Sequence, residues 1–278
     1  MSYPNVITKV FNSLWAIDRN YLETIFGVLH SRVTGETVVG VGIDKVDSDG
    51  RRDDEEKREG STAVIFASGI VAKHLSEMDE TSTGGMNLDR LQRALAQVEA
   101  DPEIRNVVLH LDTPGGVIHG VPETAEQVRR LSEKKTVVGF VDSMAASAGY
   151  WMMAGVEYLY VTPSSDVGSI GVYSALLDYT GWMEKKGLKM ELFKAGRLKA
   201  AGMPGVPLSD EQREDIQSSV DDAYAMFSSD IRRMRGEEID EEVMQGQVFR
   251  GKHAVKAGLA DEVVNGIGEV LEDLRRIG

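Results

Sequence analysis

The chain has 278 residues, 42% of them hydrophobic, enough for a sizeable core in one large domain or two small ones. It contains no cysteine, which excludes disulfides, thiol catalysis and cysteine-ligated metal. The formal charge of −14 argues against a protein that binds nucleic acid by neutralising phosphates, and it repels an anionic membrane surface.

The first thirty residues are apolar but interrupted by Lys9, Asp18, Arg19 and Glu23. They lack the h-region of a signal peptide and the ~20 apolar residues of a membrane span. Residues 1–36 therefore read as an amphipathic helical arm, and the protein as soluble and cytoplasmic, with no membrane anchor. After the arm, TVVGVGI (Thr37–Ile43) predicts a short strand, but its GVG lacks the third glycine and the helix signal of a dinucleotide site. Residues 45–60, KVDSDGRRDDEEKREG, are charge and turn residues and read as a solvated, flexible loop.

From Thr62 the pattern alternates between strand and helix. TAVIFASGIV is apolar and β-branched, and LDRLQRALAQVEADP sets Leu88, Leu91, Leu95 and Val98 on one helical face behind Asn87 as cap. NVVLHLD (Asn106–Asp112) predicts a buried strand ended by Pro114 and two glycines. A helix opened by Pro122 follows, then the strand KTVVGFVD. After DSMAASAGYWMMAGV come a strand in EYLYVTP, a helix leading through Lys186 and a strand in LKMELFKAG. Ser209 and Gln212 form a capping box for a long helix with Ile216, Val220, Tyr224, Phe227, Ile231 and Met234 as its apolar stripe. The tail reads as strand, short helix, turn and strand, with a C-terminal helix over 266–278. The rhythm predicts an α/β fold with a largely parallel sheet and crossover helices, its body over residues 62–265.

Three segments bear on chemistry. LDTPGGVIHG ends a strand in Pro-Gly-Gly, whose backbone N–H groups could meet an oxyanion, although a lone Pro-Gly-Gly is more often an ordinary turn. Ser147 stands at the next strand-to-helix corner, where the N–H of Ala148 and the helix start face whatever the serine attacks. A lone serine there is more often a packing residue. The context A-A-S-A-G differs in its first position from the G-x-S-x-G elbow. A base is harder to find. Of His30, His74, His110, His119 and His253, only His253 follows the serine, in a segment that reads as structural, and neither His110 nor His119 comes with an obvious orienting carboxylate, so a Ser-His-Asp triad is possible but has no good candidate. Lys199, in FKAGRLKAAGMP, stands among small and apolar residues, and burial is what turns a lysine into a base. Lys189 and Lys194 read as surface charges.

In their order, D-T-P-G-G, M-A-A-S-A-G-Y-W, V-G-S-I-G-V and G-R-L-K-A-A resemble the signal peptide peptidase A family of Ser-Lys proteases, over residues 62 to 265. The resemblance implies a ClpP/crotonase-like fold, with Ser147 as nucleophile and Lys199 as general base. It also implies an oxyanion hole from the N–H groups of Gly116 and Ala148, and Ser169 orienting Lys199. Neither cofactor nor metal is implied. The sequence departs from the pattern at Leu198 and Ala200, where members often have Tyr and Ser, which leaves Ser169 more of the lysine's support. The arm and K-A-A-G-M-P-G-V-P-L-S-D-E-Q resemble phage and prophage head maturation proteases of this family. That implies capsid and scaffold proteins as substrates, and a homo-oligomeric ring with sites shared between protomers. A peptide-degrading soluble relative and a non-proteolytic acyl-CoA enzyme of the same fold are the alternatives.

Overall fold

The computed structural model describes residues 14–18, 57–59, 61–75, 85–203 and 205–277. In chain order the first half forms strands β1 (Trp15–Ile17), β2 (Lys57–Glu59), β3 (Thr62–Ser68), β4 (Ile70–Ala72) and β5 (Gly85–Asn87), helix α1 (Leu88–Ala100), β6 (Asn106–Asp112), β7 (Gly115–Val117) and α2 (Val121–Ser132). There follow β8 (Thr136–Val141), β9 (Met144–Ala146), α3 (Ala148–Met153), β10 (Tyr158–Val161), β11 (Asp166–Gly168), α4 (Thr180–Lys185) and α5 (Asp210–Arg235). The chain ends with β12 (Val248–Arg250), α6 (Lys252–Lys256), β13 (Glu262–Val263) and α7 (Ile267–Ile277). These residues divide into two compact units, Met1–Trp15 with Val172–Met226 and Ala16–Gly171 with Phe227–Gly278. The body expected over 62–265 is thus distributed over both.

The larger unit carries a six-stranded sheet in the order β13-β10-β8-β6-β3-β2, parallel except where β2 meets β3. The expected α/β architecture with a largely parallel sheet and crossover helices is what forms. One face packs Val108, Val138, Phe140 and Tyr160 against Val270 and Leu274 of α7. On the opposite side of β8, Gly139 leaves room for α3, since a Cβ there would come within 3.1 Å of Met153 Sδ. Asn87 caps α1 as expected, accepting from the Asp89 N–H at 3.0 Å. The expected strand TAVIFASGIV is split in two at Gly69, whose φ of 104° few side chains tolerate.

Two small sheets continue from the main sheet's carboxyl edge. In one, β11 lies between β9 (parallel) and β12 (antiparallel). In the other the order is β1-β7-β4-β5. A parallel bridge between Thr113 and Ala145 links the segment after β6 to β9.

In the smaller unit, Trp15 and Tyr173 exchange both backbone hydrogen bonds, at 3.0 and 3.1 Å. The capping box of α5 is present, with the Gln212 N–H donating to Ser209 Oγ and the Ser209 N–H to Gln212 Oε1.

Three expectations need correction or placement. Where the helical arm is described, over 14–18, it is extended. Its backbone finds sheet partners there, and a three-residue Trp-Ala-Ile run follows such pairing rather than helical propensity. The rest of the arm, the strand predicted at Thr37–Ile43 and residues 45–56 of the charged loop lie outside the described residues, while 57–59 form β2. LKMELFKAG forms no strand. No described strand pairs with it and Phe193 is 91% exposed, so its alternating pattern has no buried face to serve.

Candidate active site

Three chain segments reach the same edge of the larger unit by parallel pairing. β9 pairs with β11 in the register Ala145 to Val167 and Ala146 to Gly168, and Ala145 also bridges Thr113. Two residues further along each segment stand Gly115, Ser147 and Ser169. The sheet register, not sequence proximity, brings these three motifs together.

The Thr113–Gly116 segment is tightly tied. The Thr113 hydroxyl donates to the Gly69 carbonyl at 2.6 Å and accepts the Gly115 N–H at 3.1 Å. The Thr113 N–H donates to the Met144 carbonyl at 2.7 Å, and the Ala146 N–H returns to the Thr113 carbonyl at 3.0 Å. Both glycines are required by close backbone approach. A Cβ at Gly115 would lie 2.2 Å from the Ala16 carbonyl oxygen, and one at Gly116 would lie 2.0 Å from that of Val71. Gly116 is in register with Val71 inside β7, so it stands in a strand rather than the open loop that Pro-Gly-Gly suggests.

Ser147 occupies the corner between β9 and α3 with φ 55° and ψ −115°. An L-residue held there costs about 1–3 kcal/mol, which surrounding structure must offset. Several contacts do so. The Ser147 N–H donates to the Gly168 carbonyl at 2.7 Å, and its carbonyl accepts from the Trp151 N–H at 2.9 Å. Every residue of α3 is buried. Tyr150 donates its hydroxyl proton to the Leu259 carbonyl at 2.8 Å, and burial pushes its phenol pKa up. The Trp151 ring stacks on Phe227 at 4.3 Å and 4°, while its indole N–H donates to Asp230 at 2.9 Å. Asp230 is in turn held by Arg233, which also reaches Glu126. Amid these satisfied groups the Ser147 hydroxyl is buried and has no hydrogen-bond partner among the described residues. A strained backbone and an orphan hydroxyl at one corner are costs that packing alone does not require.

Ala148 is the first residue of α3, a position whose N–H has no intrahelical acceptor. Ser169 is buried, has φ 53°, and donates its N–H to the Gln247 carbonyl at 2.6 Å. The preceding Gly168, at φ 105°, makes the two-residue left-handed step.

Lys199 belongs to the smaller unit. It lies in a turn within 196–202, is exposed, and its backbone N–H donates to the Gly196 carbonyl at 3.3 Å. Sequence context suggested burial for this side chain, and within its own unit it has none. Lys194 Nζ donates to the Arg197 carbonyl at 2.9 Å, in keeping with a surface role.

The histidines also need revision. His110 does have a carboxylate partner, with Nε2 2.8 Å from Asp142 Oδ1. Its ring lies edge-on between Phe66 and Phe140, in the row that the sheet register creates. Thr113 and the Trp151–Asp230 pair were likewise not identified from sequence. A threonine directly before Pro-Gly-Gly was the available signal for the first.

The profile of peptidase family S49 matches residues 129–275, a stretch that contains Ser147, Ser169 and Lys199. Capsid assembly protease C of Escherichia phage lambda is 31% identical over 204 residues, covering 73% of this chain and 46% of that protein. The head-tail preconnector protein GP5 of Enterobacteria phage P21 is also 31% identical over 204 residues, covering 73% and 40%. Protease 4 of Salmonella typhi is 29% identical over 209 residues, covering 73% and 32%. The chain thus spans less than half the length of each of these three relatives. Among solved structures, an enoyl-CoA hydratase/isomerase from Marinobacter aquaeolei aligns over 80% of this chain and 74% of its own, with TM-score 0.46 and 12% identity. With more than half of its length matched by the family profile, and with the serine, glycine and lysine motifs in their expected order, this chain belongs to peptidase family S49.

Proposed function

We propose that the chain is a serine endopeptidase in which Ser147 is the nucleophile and Lys199 the general base. The observation that carries the reading is the Ser147 corner, where a buried hydroxyl, without a partner among the described residues, sits on a left-handed non-glycine backbone beside the Pro-Gly-Gly segment. In the reaction, neutral Lys199 Nζ takes the Ser147 hydroxyl proton as Oγ bonds to the peptide carbonyl carbon. The N–H groups of Gly116 and Ala148 hold the resulting oxyanion. The C–N bond then breaks, and the departing amine takes the proton from Lys199. Water hydrolyses the acyl-enzyme by the same proton route. Ser169 supports the lysine.

Lys199 is exposed within its unit, and the same stretch of chain carries Phe193, Leu188 and Met203, which expose 91%, 52% and 43% of their surface. A second copy of the chain is the occupant we assign to this apolar surface, in a homo-oligomeric ring whose subunits share active sites. The substrates we assign are capsid and scaffold proteins, supported by the likeness to the capsid assembly protease of phage lambda and the head-tail preconnector protein of phage P21. No helix among the described residues is long and apolar enough to cross a membrane. The host cytoplasm is the location we assign, on the likeness to the phage relatives. The test is labelling by a fluorophosphonate, followed by mass spectrometry of head proteins co-expressed with the wild type or Ser147→Ala. Labelling at Ser147 and serine-dependent cleavage are expected. Equal cleavage by both proteins would overturn the reading.

A further inference from the structure

We propose that Trp15–Asp18, seated on the edge of β7, is an internal competitor for any extended polypeptide that docks along that edge. The inference deepens the reading of Ser147 as nucleophile and rests on it for the word substrate.

β1 is the outermost strand of its sheet and its neighbour is β7, the strand that carries Gly115 and Gly116. The Asp18 N–H donates to the Pro114 carbonyl at 2.7 Å, and the Ala16 carbonyl lies where a Gly115 side chain would otherwise be. Trp15, Ala16, Ile17 and Asp18 expose only 5%, 0%, 2% and 6% of their surface. Four consecutive buried residues, one of them acidic, form a seated extended peptide rather than an edge strand with one face in water.

An open strand edge pairs with any extended backbone, gaining affinity from main-chain hydrogen bonds and selectivity from side-chain pockets. A peptide must be extended to bring a scissile carbonyl alongside a serine, and β7 adjoins the Ser147 corner through the Thr113–Ala145 bridge. One edge accepts one strand, so β1 and an incoming peptide exclude each other. Tethering gives β1 a high effective concentration, so the competition favours it until substrate abundance or assembly displaces it. The seat also indicates what the edge accepts, namely an aromatic–small–aliphatic–acidic run.

The chain lacks cysteine, which allows a clean lock. Trp15 and Tyr173 exchange both backbone hydrogen bonds as an antiparallel pair. Such pairs hold their Cα atoms about 5.5 Å apart, within disulfide range. The full-length double variant Trp15→Cys/Tyr173→Cys is compared oxidised and reduced, alongside Ile17→Lys, which loosens β1. The probe is a fluorescein-labelled synthetic peptide with the sequence NSLWAIDRNY, residues 12–21, followed by anisotropy. The expected result is at least tenfold weaker binding in the oxidised form, restored by reductant, and tighter binding than wild type in Ile17→Lys. Equal affinity in the oxidised and reduced forms, or no gain in a folded Ile17→Lys, would overturn the proposal. If the disulfide fails to form, the Ile17→Lys comparison decides alone. If Ile17→Lys does not fold, the lock decides. Fluorophosphonate labelling reads the other question separately. A peptide-binding switch without labelling of Ser147 in any state would refute the nucleophile and leave the docking edge standing.

Discussion

Ser147 and Ser169 each lie one residue beyond a paired strand position, Ala146 opposite Gly168, and both have left-handed backbones, at φ 55° and 53°. The Ser147 N–H donates to the Gly168 carbonyl at 2.7 Å, so the geometry of one corner is transmitted directly to the other. Parallel strands that end in register place their following loops side by side, and here both loops open on a serine with positive φ. The nucleophile's position is therefore a property of two strand ends rather than of its own turn.

The strain at Ser147 yields a pair of opposed outcomes. Ser147→Ala removes the nucleophile and should reduce peptide hydrolysis by more than about 1,000-fold. Its backbone penalty remains. Ser147→Gly removes the hydroxyl and the penalty together, and should be more stable than Ser147→Ala by about 1 kcal/mol or more. In thermal melts that is a rise of roughly 2–4 °C per kcal/mol for a chain of this size. Equal melting temperatures would show that the left-handed backbone carries no strain.

Gly168 should be as sensitive as a residue that touches substrate. A Cβ there would meet the Gln247 carbonyl oxygen at 3.0 Å on a backbone with φ 105°. Gly168→Ala must shift the strand end that fixes Ser147, and a displacement of about 1 Å at a nucleophile costs on the order of 100-fold in rate. Gly236 is the control, since its φ is 128° but a Cβ there would meet nothing within 4 Å. Gly236→Ala should lower stability and leave kcat unchanged. Similar kcat values for the two variants would separate Gly168 from catalysis.

The network behind α3 predicts a pH signature. Hydrogen bonds from Arg129, and then Arg233, hold the Glu126 carboxyl down at about 2. An unfolded glutamate titrates near ~4.3, so the stabilisation is complete above that pH and is lost as pH falls toward about 2. Glu126→Gln should melt below wild type at pH 7, with the gap closing between roughly pH 4 and 2. A gap that stays constant with pH would assign the difference to packing instead.

How much of this was legible in the sequence follows from how local each signal is. β6 and its end at Pro114 could be read directly, because a buried run and its terminator are contiguous. The same holds for Asn87 as cap and for the Ser209–Gln212 box. β1 could not, because three residues become a strand only through partners about a hundred residues away. His110 and Asp142 are 32 positions apart and meet only through the β6–β8 register. At the site, Ser147 and the glycines were marked by small residues at strand ends, but their convergence depends on Thr113 bridging Ala145. For Lys199, apolar neighbours in sequence implied burial, whereas the turn at 196–202 leaves the side chain in water within its unit.

That exposure leads to the final prediction. Lys199 is exposed, and burial is what turns a lysine into a base, so the proposed dyad needs a further surface to cover it. Leu188, Met190, Phe193 and Met203, within 15 positions of it in the chain, are themselves 40–91% exposed and would be covered by the same event in the proposed ring. In the proposed ring, Lys199 of one copy meets Ser147 of the next, and assembly desolvates it. Hydrolysis should then rise more steeply than linearly with protein concentration. Lys199→Arg, which keeps the charge but cannot deprotonate, should lose about 100- to 10,000-fold in activity. Refolding Ser147→Ala together with Lys199→Ala supplies the decisive comparison. Each variant alone has no intact junction, whereas mixed rings contain junctions with both groups, so activity should return in part. Confirmed mixed oligomers without recovered activity would place serine and lysine of one chain in the same site.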